Sequence, residues 1–87
     1  VYVVTGLQAS IGRGEENDLI IADLKASRVH AEIKLVGGNW VVQDKGSSNG
    51  ILHNGKKVKD AQLKIGDTVS LGETILEFTT SDVPTTF

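Results

Sequence analysis

Apolar residues in this chain recur with a period of two, and never for long. In Ala31-Glu32-Ile33-Lys34-Leu35 they alternate with charged residues, and no window carries a sustained helical period. Alternation of this kind is what a half-buried strand requires, because successive side chains point to opposite faces of a sheet. Strands are expected at Val1 to Val4, from near Ser10-Ile11, at Leu19 to Ile21, Ala31 to Leu35, Trp40 to Asp44, Ile51-Leu52, Lys57 to Lys59, Thr68 to Leu71 and Thr74 to Phe78. Between them stand Gly37-Gly38-Asn39, Asn54-Gly55, Ile65-Gly66-Asp67 and Gly72-Glu73, all turn-forming compositions, and Asn-Gly is the strongest of the two-residue hairpin signals. With no room for helices, the chain is expected to be all-β: an antiparallel β-sandwich of about ten to eleven short strands.

At 87 residues there is surface and core for one hydrophobic centre, so a single domain is expected over residues 1–79. Residues 80–87 have the composition of a tail or linker, with Pro84 among Ser and Thr. The chain has no cysteine, which excludes a disulfide framework, a thiolate metal site and a thiol nucleophile. A net charge of −2 argues against a general nucleic-acid binder, which needs a basic surplus to displace counterions from phosphates. No apolar run is long enough to cross a bilayer, so no membrane insertion is expected, and a cytoplasmic location or the cytosolic part of a larger protein fits the composition.

Three polar clusters fall between expected strands: Gly12-Arg13 with Asn17, Ser27-Arg28-Val29-His30, and Ser47-Ser48-Asn49-Gly50. In a sandwich, alternate loops emerge at the same end, so these three are expected to meet in a ligand site at one end of the fold. Together they supply a guanidinium and hydroxyls. That inventory suits a doubly charged tetrahedral anion, because the planar fork of Arg matches phosphate oxygens bidentately. Arg13, Lys25, Arg28 and Lys45 all lie in expected loops, whereas Asp60, Asp67, Glu73, Glu77 and Asp82 cluster toward the other end of the sequence.

Gly12-Arg13, Ser27-Arg28-x-His30 and Ser47-Ser48-Asn49-Gly50, followed by Asn54-Gly55 and Leu63-x-Ile65-Gly66-Asp67-x-Val69-x-Leu71-Gly72, resemble the signature of the forkhead-associated (FHA) domain. Members of that family are β-sandwiches of SMAD/FHA type that bind phosphothreonine peptides. The resemblance implies that Arg13, Ser27 and Ser48 contact the phosphate, that Asn49 contacts the peptide backbone, and that Arg28, standing where the family often has Asn, reaches either the phosphate or the peptide backbone. Lys25 stands where some members read the side chain three residues after the phosphothreonine, and a cation there implies a preference for an acidic or polar residue. Gly12, His30 and Gly50 are implied to be structural support, His30 by tying the Gly-Arg loop to its neighbour. The chain departs from the family pattern at Ile51, where Thr is common, and in a short loop from Asp18 to Ser27; for the strand that usually precedes the one at Val1 to Val4, the expectation is either that the sequence begins inside a longer protein or that this strand is displaced.

The partner implied is a phosphothreonine-containing protein, bound by a monomeric module of a larger protein without a cofactor or metal. A structural assembly domain that binds partners independently of phosphorylation is the alternative. An enzyme is not expected: Gly12-x-Gly14 lacks the rest of a dinucleotide fingerprint, there is no Gly-Lys-Ser/Thr phosphate loop, and Asp44-x-Gly46-x-Ser48 has no closing Glu for calcium. Trp40 is assigned to packing. The Thr-rich tail is a linker, with phosphorylation and self-binding as its alternative.

Overall fold

The computed structural model describes residue 4 and residues 6–79. Nine strands occur among them, arranged in two facing sheets: β1 (Gln8–Gly12), β2 (Leu19–Ile20), β3 (Ala31–Val36), β4 (Asn39–Asp44), β5 (Ile51–His53), β6 (Lys56–Val58), β7 (Asp60–Gln62), β8 (Thr68–Leu71) and β9 (Thr74–Glu77). One sheet has the order β2-β1-β3-β4-β7 and the other β6-β5-β8-β9. The all-β sandwich is as expected. The expected strand at Val1 to Val4 and the tail at residues 80–87 fall outside the described residues, apart from Val4, which packs against the core.

The alternation seen in the sequence becomes the core. Ala9 and Ile11 of β1, Ala31 and Ile33 of β3 and Val42 of β4 are buried from one sheet, and Ile51, Val69 and Leu71 from the other. Side chains between them, such as Glu32 and Lys34, face outward. Burying a Val, Leu or Ile side chain contributes about 1.5–3 kcal/mol, so this two-sided layer is what holds a domain without disulfides.

Local chemistry sets the connections. Asn54 and Gly55 have φ of 51° and 85°, the left-handed pair a type I′ turn demands, and His53 pairs with Lys56 across them. Gly37-Gly38 closes the β3–β4 hairpin on the Val36–Asn39 pair. One pairing is parallel, β1 with β2, with Ile11 opposite Leu19. The loop between them returns the chain because Asp18 and Ser10 clasp each other: Ser10 N–H donates to Asp18 Oδ2 at 2.9 Å and Asp18 N–H to Ser10 Oγ at 3.1 Å.

β7 was not among the expected strands. Asp60-Ala61-Gln62 has no β-branched or aromatic residue, and only Ala61 is even half-buried; the ladder to Val41, Val42 and Gln43 creates this edge strand rather than its own propensity.

At the end of β5 away from Gly50, His53, Asn54 and Asp67 form a polar cluster. His53 Nε2 lies 2.8 Å from Asp67 Oδ2, which also accepts the Lys64 N–H at 2.9 Å, and Asn54 Nδ2 donates to Oδ1 at 3.2 Å. These donors, His53 first, lower the Asp67 carboxyl from 3.8 to about 2. Because the folded value lies below the unfolded one, the ionised carboxylate stabilises the fold in full above about pH 4, and that contribution is lost as pH falls through about 2. Asp67→Asn should therefore show a flatter loss of stability than the parent between about pH 4 and pH 2 in urea melts followed by circular dichroism. Parallel curves over that window would mean that Asp67 is not the titrating group.

Candidate functional site

The three polar clusters meet as expected. Arg13, Lys25, Ala26, Ser27, Arg28, Ser48 and Asn49, with Leu24, line one open depression of about 540 Å³ at the end of the sandwich. Its construction begins with buried groups beneath it.

Gly12 ends β1 under the backbone of Arg28. A Cβ there would lie 2.2 Å from the Arg28 carbonyl oxygen, so only glycine permits this approach. The approach lets Arg13 N–H donate to Ser27 O and Gly14 N–H to Arg28 O, both at 3.0 Å. Asn17, 6% exposed, reinforces the same joint by donating its amide to Gly14 O at 2.8 Å and to Arg28 O.

His30 is 0% exposed and clamps two loops. Its Nε2 lies 2.6 Å from the Gly50 carbonyl oxygen, which can only accept, so Nε2 carries the proton. Nδ1 then accepts the Ser27 N–H at 3.0 Å, and the ring is neutral. The ring's bonds run to the Ser27 turn and the Ser47–Gly50 loop rather than to the Gly-Arg loop, and the His30 backbone N–H donates to Ile11 O of β1 at 2.8 Å. Ser47 braces its own loop: its hydroxyl donates to Asp44 and accepts the Gly50 N–H at 2.8 Å. Gly50 turns the chain with φ of 74°.

On this base the exposed groups are set. Arg13 Nε donates to Ala26 O at 3.1 Å, and its two Nη groups have no hydrogen-bond partner among the described residues. Ser48 N–H donates to Ser27 Oγ at 3.0 Å, which occupies a lone pair of that hydroxyl and leaves its proton to donate elsewhere. The main-chain amide of Ser48 is thus engaged within the protein, while its hydroxyl makes no hydrogen bond among the described residues. Asn49 Nδ2 donates to Lys25 O at 2.9 Å, and its Oδ1 accepts no hydrogen bond among the described residues.

The remaining cations are paired. Arg28 Nη2 lies 3.2 Å from Glu16 Oε1, and Lys25 Nζ lies 2.8 Å from Glu73 Oε1. A backbone N–H of its own and then Arg28 hold the Glu16 carboxyl below its ordinary range, and the bond to Glu73 raises the Lys25 ammonium. Arg13 is the guanidinium of the depression with no carboxylate within ion-pair distance among the described residues.

Two participants escaped the sequence reading. Glu73 belongs to the acidic group placed at the other end of the sequence, yet the β8–β9 hairpin brings it against Lys25. Asp23 makes that possible: Oδ2 accepts the Glu73 N–H at 2.8 Å and the Thr74 hydroxyl at 2.6 Å, while Oδ1 accepts the Lys25 N–H at 2.9 Å. These donors, Thr74 first, lower the Asp23 carboxyl. Only the bond two residues on, an Asx-turn pattern, had a local signal; the others span 50 and 51 residues.

The arrangement offers a guanidinium unpaired among the described residues and two hydroxyl donors on a hydrogen-bonded base, which is the chemistry of anion binding. Among the described residues no group of His, Cys, Asp or Glu is placed to hold a metal.

A family model described as FHA domain matches residues 9–72. The glycogen accumulation regulator GarA of Mycolicibacterium smegmatis is 42% identical over 71 residues, covering 82% of this chain and 45% of its own length. The chain therefore spans a little under half of that relative. A solved structure from a structural and functional analysis of phosphothreonine-dependent FHA domain interactions superposes with a TM-score of 0.84 at 29% identity, covering 92% of this chain and 83% of that one. Mycobacterium tuberculosis EmbR, solved in complex with a low affinity phosphopeptide, gives a TM-score of 0.85 at 29% identity over 90% of this chain and 21% of that one.

Proposed function

We propose, since the chain belongs to the forkhead-associated (FHA) domain family, that the depression at the end of its sandwich binds phosphothreonine in a partner protein, making the chain a phospho-dependent recognition module. The observation that carries this reading is the contrast among the cations: Lys25 and Arg28 are paired to carboxylates, and Arg13 presents Nη groups with no partner among the described residues in the same depression as the Ser27 and Ser48 hydroxyls. In this reading Arg13 takes two phosphate oxygens, Ser27 and Ser48 donate their hydroxyls to the phosphate, and Asn49 accepts a main-chain N–H of the peptide. Arg28 is a peptide-backbone contact that must first loosen from Glu16. Gly12, His30 and Gly50 hold the loops and touch no ligand. The module acts by binding, not by catalysis.

One Thr-containing peptide in three forms, phosphothreonine, phosphoserine and unphosphorylated, tests this by calorimetry. A charge-assisted hydrogen bond contributes about 1.5–3 kcal/mol, so losing the phosphate should weaken binding by about a hundredfold or more. Equal binding of the phosphorylated and bare peptides would establish the assembly-domain alternative instead.

A further inference from the structure

A second depression of about 410 Å³ adjoins the first and shares Leu24 and Lys25 with it; Ala22, Asp23, Glu73 and Thr74 complete its wall. None of that lining belongs to the three polar clusters: Ala22 to Lys25 precede Ser27, and Glu73 and Thr74 arrive on the β8–β9 hairpin. The placement of this hairpin is fixed by more than its ion pair. Asp23 takes the Glu73 N–H and the Thr74 hydroxyl, and Gly72 lies so close beneath the loop that a Cβ would stand 2.9 Å from Ala26 N and from Lys25 C.

The side chains of Lys25 and Glu73 are 66% and 69% exposed. An ion pair so open to water adds little to stability, because solvent screens it and two long side chains lose freedom in forming it. Its effect on a ligand is larger in kind. A carboxylate already occupies the ammonium that an acidic ligand side chain would seek, and it repels that side chain as well. Beside it, Leu24 is 93% exposed and offers apolar surface at the edge of both depressions.

We propose that Glu73 is a specificity-determining residue of the phosphopeptide site: by occupying Lys25 it makes the flank of the phosphate pocket neutral, so that ligands with an acidic side chain there are not favoured. This reverses the expectation drawn from Lys25 alone, and it rests on the phosphothreonine reading of the adjoining depression. The carboxylate belongs to the protein itself and stands where a ligand's would, so it acts as a resident competitor, and removing its charge frees the ammonium. The hydrogen bonds of Asp23 to the hairpin survive that change, since they use the Glu73 backbone and Thr74.

Phosphothreonine peptides differing only by Glu or Gln at each position within four residues of the phosphothreonine, titrated by fluorescence anisotropy in low salt, test the proposal. With the parent protein, Glu should not improve affinity over Gln at any position. With Glu73→Gln, Glu at one position should bind about three- to tenfold tighter than Gln, a gain that shrinks as salt is added. Adding Lys25→Met should abolish that gain, which a merely structural role for Glu73 would not predict. If both proteins bind the peptides with the same Glu-to-Gln ratio at every position, the inference is overturned and the phosphothreonine reading stands. If neither protein binds any phosphothreonine peptide, that reading falls and takes the inference with it.

Discussion

Arg13→Ala should lower affinity for a phosphothreonine peptide by about a hundredfold or more while leaving the fold intact. Its Nη groups have no partner among the described residues, so their hydrogen-bonding capacity is available to a ligand. Two charge-assisted bonds at about 1.5–3 kcal/mol each exceed 3 kcal/mol together, and each 1.4 kcal/mol is tenfold. Within the protein the substitution removes only the Nε bond to Ala26 O, on an exposed side chain. The circular dichroism spectrum should be unchanged, which separates lost binding from lost structure. Arg13→Lys should fall between the two, since it keeps the charge and loses the planar fork. Calorimetry showing Arg13→Ala bound as tightly as the parent would remove Arg13 from the phosphate site.

The largest effect on stability is expected at His30. The side chain is wholly buried, and truncation leaves a cavity together with two groups that lose their partners, the Ser27 N–H and the Gly50 carbonyl. A buried unsatisfied polar group costs about 1–3 kcal/mol, and large-to-small core substitutions cost about 2–5 kcal/mol. His30→Ala should therefore destabilise by about 3 kcal/mol or more in urea denaturation, and lower the melting temperature by more than about 10 °C in a domain of this size. Phosphopeptide binding should weaken even at temperatures where the variant is folded, because the loops bearing Ser27 and Ser48 lose their common anchor. A variant within about 1 kcal/mol of the parent would show that the backbone ladder from His30 to Ile11 and Lys45 holds these loops without the imidazole.

What could be foreseen from sequence divides by the range of the interactions. Asn54-Gly55 and Gly37-Gly38 announced their hairpins because a two-residue turn is decided by the φ values its own residues tolerate. The alternation in Ala31 to Leu35 identified the inward face for the same local reason. β7 was invisible, because Asp60-Ala61-Gln62 becomes a strand through a partner some twenty residues away. The meeting of the three polar clusters was legible from alternate loops sharing an end. The state of the cations was not: no spacing rule pairs Lys25 with Glu73, and that contact depends on Asp23 capturing a hairpin from the other sheet. An unpaired lysine and a paired one look alike in sequence, and on the inference proposed above the difference removes the acidic preference expected of the site.

The 3.0 Å bond from Ser48 N–H to Ser27 Oγ joins the second and third motifs through the protein's own groups. Every partner meets the same joined pair, and related partners of one site differ mainly in how fast they leave. On the phosphothreonine reading proposed above, such a module would act as a timer, releasing each partner according to the contacts it makes beyond the phosphate.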